Sequence, residues 1–329
     1  MDSFSRLQSI LHRQEGRLAL AMGVLLLALA ATAPGFFAAV NLASVLRGMG
    51  VLTIVSMGML IVILTGGIDV SVGSMVAVIS VVAARWGNSG APAALVAPGA
   101  LLLGAGLGFF NAVLIADLRI PPIVATLGTM GLYRGLLLQW TQGEWVTRLP
   151  EWLAAAGRPG RFLMDGSVWA AVAVTALTAL FLRRTQAGRD LFRFGGSAIA
   201  AQRVGISERR VVYIAYSLMG VLAALGALFY AAQLGSVQGN AAVGYELVVI
   251  AAVVLGGANI AGGEGSVTGT LLGVALLGSI QSALILLHVP TFWQGVVTGA
   301  IVLLGVGAGV VRRRRPLNLR ALAGKGATA

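Results

Sequence analysis

With 329 residues, 58% of them apolar and only 10% charged, and a mean hydropathy of +0.91, the chain is too apolar for a soluble domain, in which about a quarter of residues are charged. No cysteine is present, which excludes disulfides, thiol chemistry and thiolate metal sites, and His12 and His288 are too few for a histidine-built metal centre. The net charge of +12 is not a nucleic-acid signature: seven arginines cluster within 183–210 and four more form Arg312–Arg315, beside apolar segments as the positive-inside rule produces.

The fold class is therefore an all-α polytopic membrane protein with about ten transmembrane helices. The polar N-terminus, residues 1–17, has no small-residue cleavage site and reads as a cytoplasmic tail. Apolar stretches of spanning length then follow at roughly 18–35, 46–65, 70–84, 91–116, 121–140, 166–182, 211–235, 245–261, 266–287 and 292–311. Together they form a single transmembrane domain over 18–311, with a cytoplasmic tail at 312–329. Arg6, Arg13 and Arg17 place the N-terminus inside and Arg312–Arg315 place the C-terminus there too, which an even number of spans satisfies. The same count leaves 183–210 cytoplasmic and 141–165 periplasmic. In that outer segment Arg148, Arg158 and Arg161 are balanced by Glu144, Glu151 and Asp165, and Trp140 and Trp145 fit an interfacial aromatic belt.

Two glycine-paired interruptions stand out, expected as broken helices or hairpins. "LTGGIDVSVGS" (64–74) joins the second and third spans, and "VLGGANIAGGEGS" (254–266) joins the eighth and ninth. Aligned on their pairs, Gly66-Gly67-Ile68-Asp69 faces Gly256-Gly257-Ala258-Asn259. Paired breaks of this kind mark the pathways of transporters built from repeats, although ordinary interhelical turns would look the same. Three roles are open for Asp69: capping the third helix, lining a polar cavity, or catalysis. The first suits backbone that must be satisfied inside a membrane.

With these residues in hand, the chain resembles the membrane subunits of bacterial ABC sugar importers of the ribose/autoinducer-2 permease family. The marks are "LTGGIDVSVGS", "IPPIVATLGTMGLYRG" (120–135), "GSAIAAQRVGI" (196–206) and "GYELVVIAAVVLGGANIAGGEGSVTGT" (244–270), in that order. The likeness runs from about Phe37 to Arg312 and leans toward the autoinducer-2 members. It implies a bacterial inner-membrane protein that takes substrate from a periplasmic binding protein and pairs with a second permease, identical or related. Cytoplasmic ABC ATPases would supply the energy.

The chain itself agrees on the last point. A P-loop needs a lysine at the phosphates, and the sole lysine is Lys325 in the C-terminal tail. No enzymatic activity or cofactor of its own is expected. The resemblance makes 196–206 the ATPase-coupling segment, carried by Gly196, Ala200, Ala201, Arg203, Gly205 and Ile206. From the residues alone, Ala198–Val204 is a short helix-capable run of small side chains bounded by glycines, and a solvated basic loop is the competing reading. Candidate pathway residues are Gly66, Gly67, Asp69, Ser71, Asn111, Thr126, Thr129, Tyr133, Glu246, Gly256, Gly257 and Asn259. Thr126, Thr129 and Tyr133 share one helical face, where their hydroxyls suit a passing polyol or bonds between helices. Two rival functions remain: an ion-coupled secondary transporter using Asp69 and Glu246, and an intramembrane enzyme using Asp69.

Overall fold

The structure is a computed structural model that describes residues 14–158, 166–290, 293–297, 299–300 and 303. Most of the N-terminal tail, part of the 141–165 segment, most of the tenth expected span and the C-terminal tail lie outside the described residues. Among those described, the protein is helical throughout, with one isolated antiparallel bridge between Val146 and Val237. In chain order the helices are α1 (Gln14–Thr32), a 3-10 turn (Pro34–Phe37), α2 (Ala39–Leu64), α3 (Val72–Asn88), α4 (Ala93–Ala116) and α5 (Pro122–Thr141). They continue with α6 (Glu151–Ala156), α7 (Gly166–Arg184), α8 (Gln186–Gly196), α9 (Ala198–Arg203), α10 (Glu208–Leu234), α11 (Tyr245–Leu255) and α12 (Val267–Leu286).

Six of these, α1, α2, α4, α7, α10 and α12, are long and apolar enough to cross a membrane. Two expected spans are shorter than the rest. Helix α3 has 17 residues, and α11 has only 11, about 16 Å at 1.5 Å per residue, against a hydrocarbon core of about 30 Å. The apolar run from 245 to 261 ends as helix at Leu255 because Gly256 and Gly257 follow, and Gly257 takes φ +100°.

Helix α2 is the axis of the bundle: from Gly50 to Leu64 every residue is buried. Helix α10 crosses α4 at glycines, so closely that a Cβ has no room. A Cβ at Gly104 would overlap the carbonyl oxygen of Gly220, one at Gly108 that of Tyr216, and one at Gly220 that of Gly104. Helices α11 and α12 cross in the same way, with Gly269 on the Gly256 carbonyl and Gly273 on that of Ala252. Lipid tails are as apolar as leucine, so helices associate through such close contact rather than through a hydrophobic driving force. Helix α1 is peripheral and touches α12 through a small cluster of Leu29, Phe36 and Ala283.

The arginine-rich end of the bundle is marked by hydroxyl caps. Thr185, Ser197, Ser207 and Ser266 each accept a backbone N–H at the start of α8, α9, α10 and α12. The 183–210 segment is therefore not a plain loop but two short helices. Helix α8 buries Leu191 and Phe194 against the bundle while its arginines stay outside, a 3.6-residue alternation that its dense charge conceals in the sequence.

Candidate functional site

Seven residues separate α2 from α3, and Asp69 anchors them. It is fully buried, and its Oδ1 accepts the Ser71 N–H (2.9 Å) and the Ser71 hydroxyl (2.6 Å). Asn111 of α4 donates through Nδ2 to Ser71 Oγ (2.9 Å) and to Asp69 Oδ2 (3.3 Å). From α5, Thr126 Oγ1 lies within donating distance of the Ile68 carbonyl (3.1 Å). The Tyr133 hydroxyl donates to Leu107 O (2.9 Å), with Asn111 Oδ1 at 3.4 Å. Every donor in this cluster has an acceptor, as buried polar groups require. Asp69 thus fixes the residue ahead of α3 through an i, i+2 turn; it does not cap the free N–H groups of that helix's first turn. Thr129 bonds within its own helix, to Thr126 O (3.2 Å).

Asn259 makes the matching turn in the second interruption, accepting the Ala261 N–H at Oδ1 (3.1 Å) and donating to Gly262 O (3.2 Å). The two interruptions meet, but through a pair the alignment did not single out. Gly66 sits at φ +81° against Ala261 O, and a Cβ on Gly262 would lie 2.7 Å from Gly66 N. The Gly263 N–H donates to Leu64 O, the last carbonyl of α2, at 3.0 Å. The third party is the end of α8. A Cβ on Gly195 would overlap Leu64 O, and one on Gly263 would lie 2.7 Å from Gly196 Cα. Gly67 faces the Tyr216 hydroxyl, and Gly256 belongs to the α11–α12 crossing. Gly66 and Gly67 also line a cavity of about 620 Å³ at the arginine-rich end, together with Arg119, Phe194 and Arg209.

Glu246 stands in the first turn of α11, where Oε1 accepts the Gly244 N–H (3.2 Å), and its other oxygen occupies the space a Cβ on Gly73 of α3 would need. Among the described residues no hydrogen bond joins it to Asp69, whose partners are Ser71 and Asn111. The two carboxylates do not form a dyad. The segment preceding α11 is bound from several sides. Arg134 Nη1 donates to Gly239 O (2.7 Å) and Ala241 O (2.6 Å), Val237 pairs with Val146, and the Ala242 N–H donates to the Tyr230 hydroxyl (3.2 Å).

In the expected coupling segment, Gly196, Ala200, Arg203 and Gly205 are exposed and Ile206 is half-buried, but Ala201 is only 3% exposed. Its side chain joins the chain's own core, and α9 packs against α8, so one side of this short helix is inward. The exposed apolar side chains are Ile199 (69%) and Val204 (74%), which sequence reasoning passed over. Also missed were Gly195 and the Gln- and Asn-bearing stretch from 236 to 244. The only signal for that stretch is a run of glycine and amide residues between two apolar segments.

Residues 41–306 match the family described as branched-chain amino acid transport system / permease component. The autoinducer 2 import system permease protein LsrC of Yersinia enterocolitica is 38% identical over 91% of this chain and 83% of its own length. Its namesake in Salmonella typhi is 37% identical over 91% of this chain and 86% of its own. That of Escherichia coli K12 is 38% identical over 77% and 74%. No solved structure matches the chain. With its apolar helices and a match along most of its length, the chain is a multi-pass membrane protein that belongs to this permease family.

Proposed function

We propose that the protein is the transmembrane pathway subunit of an ATP-driven importer for a small sugar-like molecule, with autoinducer-2 first and ribose- or rhamnose-type sugars next. The observation that carries the reading is identity of 37–38% to autoinducer 2 import permeases across most of both chains. The exposed Ile199 and Val204 on a capped two-helix segment support it, as a surface on which a cytoplasmic ATPase docks. The chain spans the bacterial inner membrane about ten times, with both termini cytoplasmic. It works with a second permease subunit, identical or related, two ATPase domains and a periplasmic binding protein. The interruptions at 65–71 and 256–266 form the inner gate, held by Asp69, Ser71 and Asn111.

Ion-coupled transport through Asp69 and Glu246 is not favoured, because the relatives are import-system permeases and Asp69 is already committed to Ser71 and Asn111. The test is uptake of labelled autoinducer-2 by cells lacking their own permease and supplied with this chain and its partners. Uptake that survives collapse of the proton gradient by an uncoupler but stops on ATP depletion is the expected result. Uptake abolished by the uncoupler while ATP is maintained overturns it.

A further inference from the structure

Behind Trp145 lies a cavity of about 660 Å³ whose wall is the α10–α11 connection and whose lining includes Tyr230, Gln238, Asn240, Tyr245 and Gln281. Its size falls in the range of small-molecule sites, roughly 300–1,000 Å³. We infer that this cavity is a binding site for a small neutral polyhydroxylated ligand at the outer mouth of the pathway. The inference rests on the transport reading above and names where on this chain the substrate is first held.

Four observations carry it. The side chains of Gln238, Asn240 and Gln281 make no hydrogen bond to another described residue, so three amides, each with two donors and an acceptor, face one space. That set matches vicinal hydroxyls, which both give and take a proton. Three aromatic rings share the cavity, and Tyr230 and Tyr245 stand 6.0 Å apart at 50°, offering faces on which the C–H side of a sugar ring rests. No charged side chain is among the described residues that line it. A phosphorylated sugar would find no cation there, and an amino acid would find nothing to pair with its ammonium and carboxylate.

The wall is also preorganised. Arg134 holds it at Gly239 and Ala241, Val146 at Val237, and Tyr230 at Ala242, so little ordering is required when a ligand arrives. The wall then leads inward. The Ala242 carbonyl and the Glu246 carboxylate both fill the space a side chain on Gly73 would take, two residues from Ser71 in the Asp69 cluster. Ser74 Oγ bonds Met130 O (3.0 Å) at the middle of α5, so this contact lies deep in the bundle rather than at its rim.

The experiment is saturation-transfer NMR on the full-length chain in lipid nanodiscs, which detects weak ligands directly and without the binding protein. The probes are autoinducer-2, D-ribose and L-rhamnose, with ribose 5-phosphate and L-leucine as comparison. Transfer to at least one neutral polyol and none to the charged probes is expected, falling at least fivefold in Gln238→Ala/Asn240→Ala and in Trp145→Ala. Asn240 and Trp145 are exposed, and unchanged thermal melts show that these variants fold. Equal transfer in wild type and both variants, transfer favouring a charged probe, or no transfer to wild type overturns the site. Uptake in cells by the same wild-type chain separates the two claims. Uptake without these amide effects removes the site and leaves the importer, whereas no uptake of any probe removes both.

Discussion

The Cα of Gly195, at the end of α8, is seated against the carbonyl oxygen of Leu64, the last residue of α2, where that oxygen accepts the Gly263 N–H at 3.0 Å. Three chain segments thus share one contact: the end of α8, the first interruption and the second. Nothing but hydrogen fits on Gly195, because the atoms it meets are backbone and cannot rotate away. A displacement of α8 would therefore bear directly on both interruptions.

Gly195→Ala is expected to abolish import, reducing uptake at least tenfold, while Gly196→Ala leaves folding intact because a Cβ there meets nothing within 4 Å. Overpacking of this kind costs about 1–3 kcal/mol, enough to displace the segment without unfolding the bundle. The measurement is uptake together with ATP hydrolysis by the purified complex. Hydrolysis should persist in Gly195→Ala as import is lost. Wild-type uptake in that variant would show that the contact yields freely and transmits nothing.

Asp69 tests whether the first interruption needs a charge or a shape. Asp69→Asn keeps an oxygen to accept the two Ser71 donors, at a cost near 1 kcal/mol, and should retain substantial import. Asp69→Leu leaves the Ser71 N–H and hydroxyl and an Asn111 N–H unpaired in the interior, each costing about 1–3 kcal/mol, and should lower the thermal midpoint and abolish uptake. Thermal melts in detergent paired with uptake decide it. If Asn and Leu variants are equally inactive while both assemble, the carboxylate charge is required and ion coupling returns as an explanation.

The α4–α10 crossing predicts opposite outcomes for two glycines only half a turn apart. Gly108→Ala drives a methyl into the Tyr216 carbonyl and should destabilise the protein by about 1–3 kcal/mol. Gly106→Ala meets nothing within 4 Å and gains helix propensity, up to about 1 kcal/mol. Size-exclusion thermostability of the two variants should place them on either side of wild type. Equal midpoints would mean that the crossing is looser than described.

The helices were legible because apolar runs bounded by glycine, proline and arginine announce themselves; α4, α5, α7, α10 and α12 fall within about three residues of their expected limits. The Asp69, Ser71, Asn111 and Tyr133 cluster was legible as residues but not as a network, since each polar side chain in an apolar run is suspect on its own and partners come from other helices. Gly262, Gly263 and Gly195 were not legible as the meeting point. One glycine among 46 carries no mark of what backbone approaches it. Ala201 shows the same limit from the other side: small residues suit docking outward and packing inward equally, and only the orientation of α9 decides.

That orientation sets the coupling prediction. Ile199 and Val204 are 69% and 74% exposed, an apolar pair that water does not favour and that a groove on an ATPase would cover. Ile199→Glu places a charge where the free chain is already solvated, so insertion and the thermal midpoint should match wild type. In the assembled importer the same carboxylate loses its water against the partner, at a cost of several kcal/mol, and the variant should fail to retain its ATPase or retain it without import. Ala201→Glu should behave differently. Its side chain is 3% exposed, so the charge is driven into the chain's own packing, and the purified permease alone should melt at a lower temperature. Pull-down of the ATPase by the tagged permease, read beside the melt of the permease by itself, separates the two. Normal ATPase retention and normal uptake in both Ile199→Glu and Val204→Glu would remove this face as the docking surface and leave α9 a topological loop.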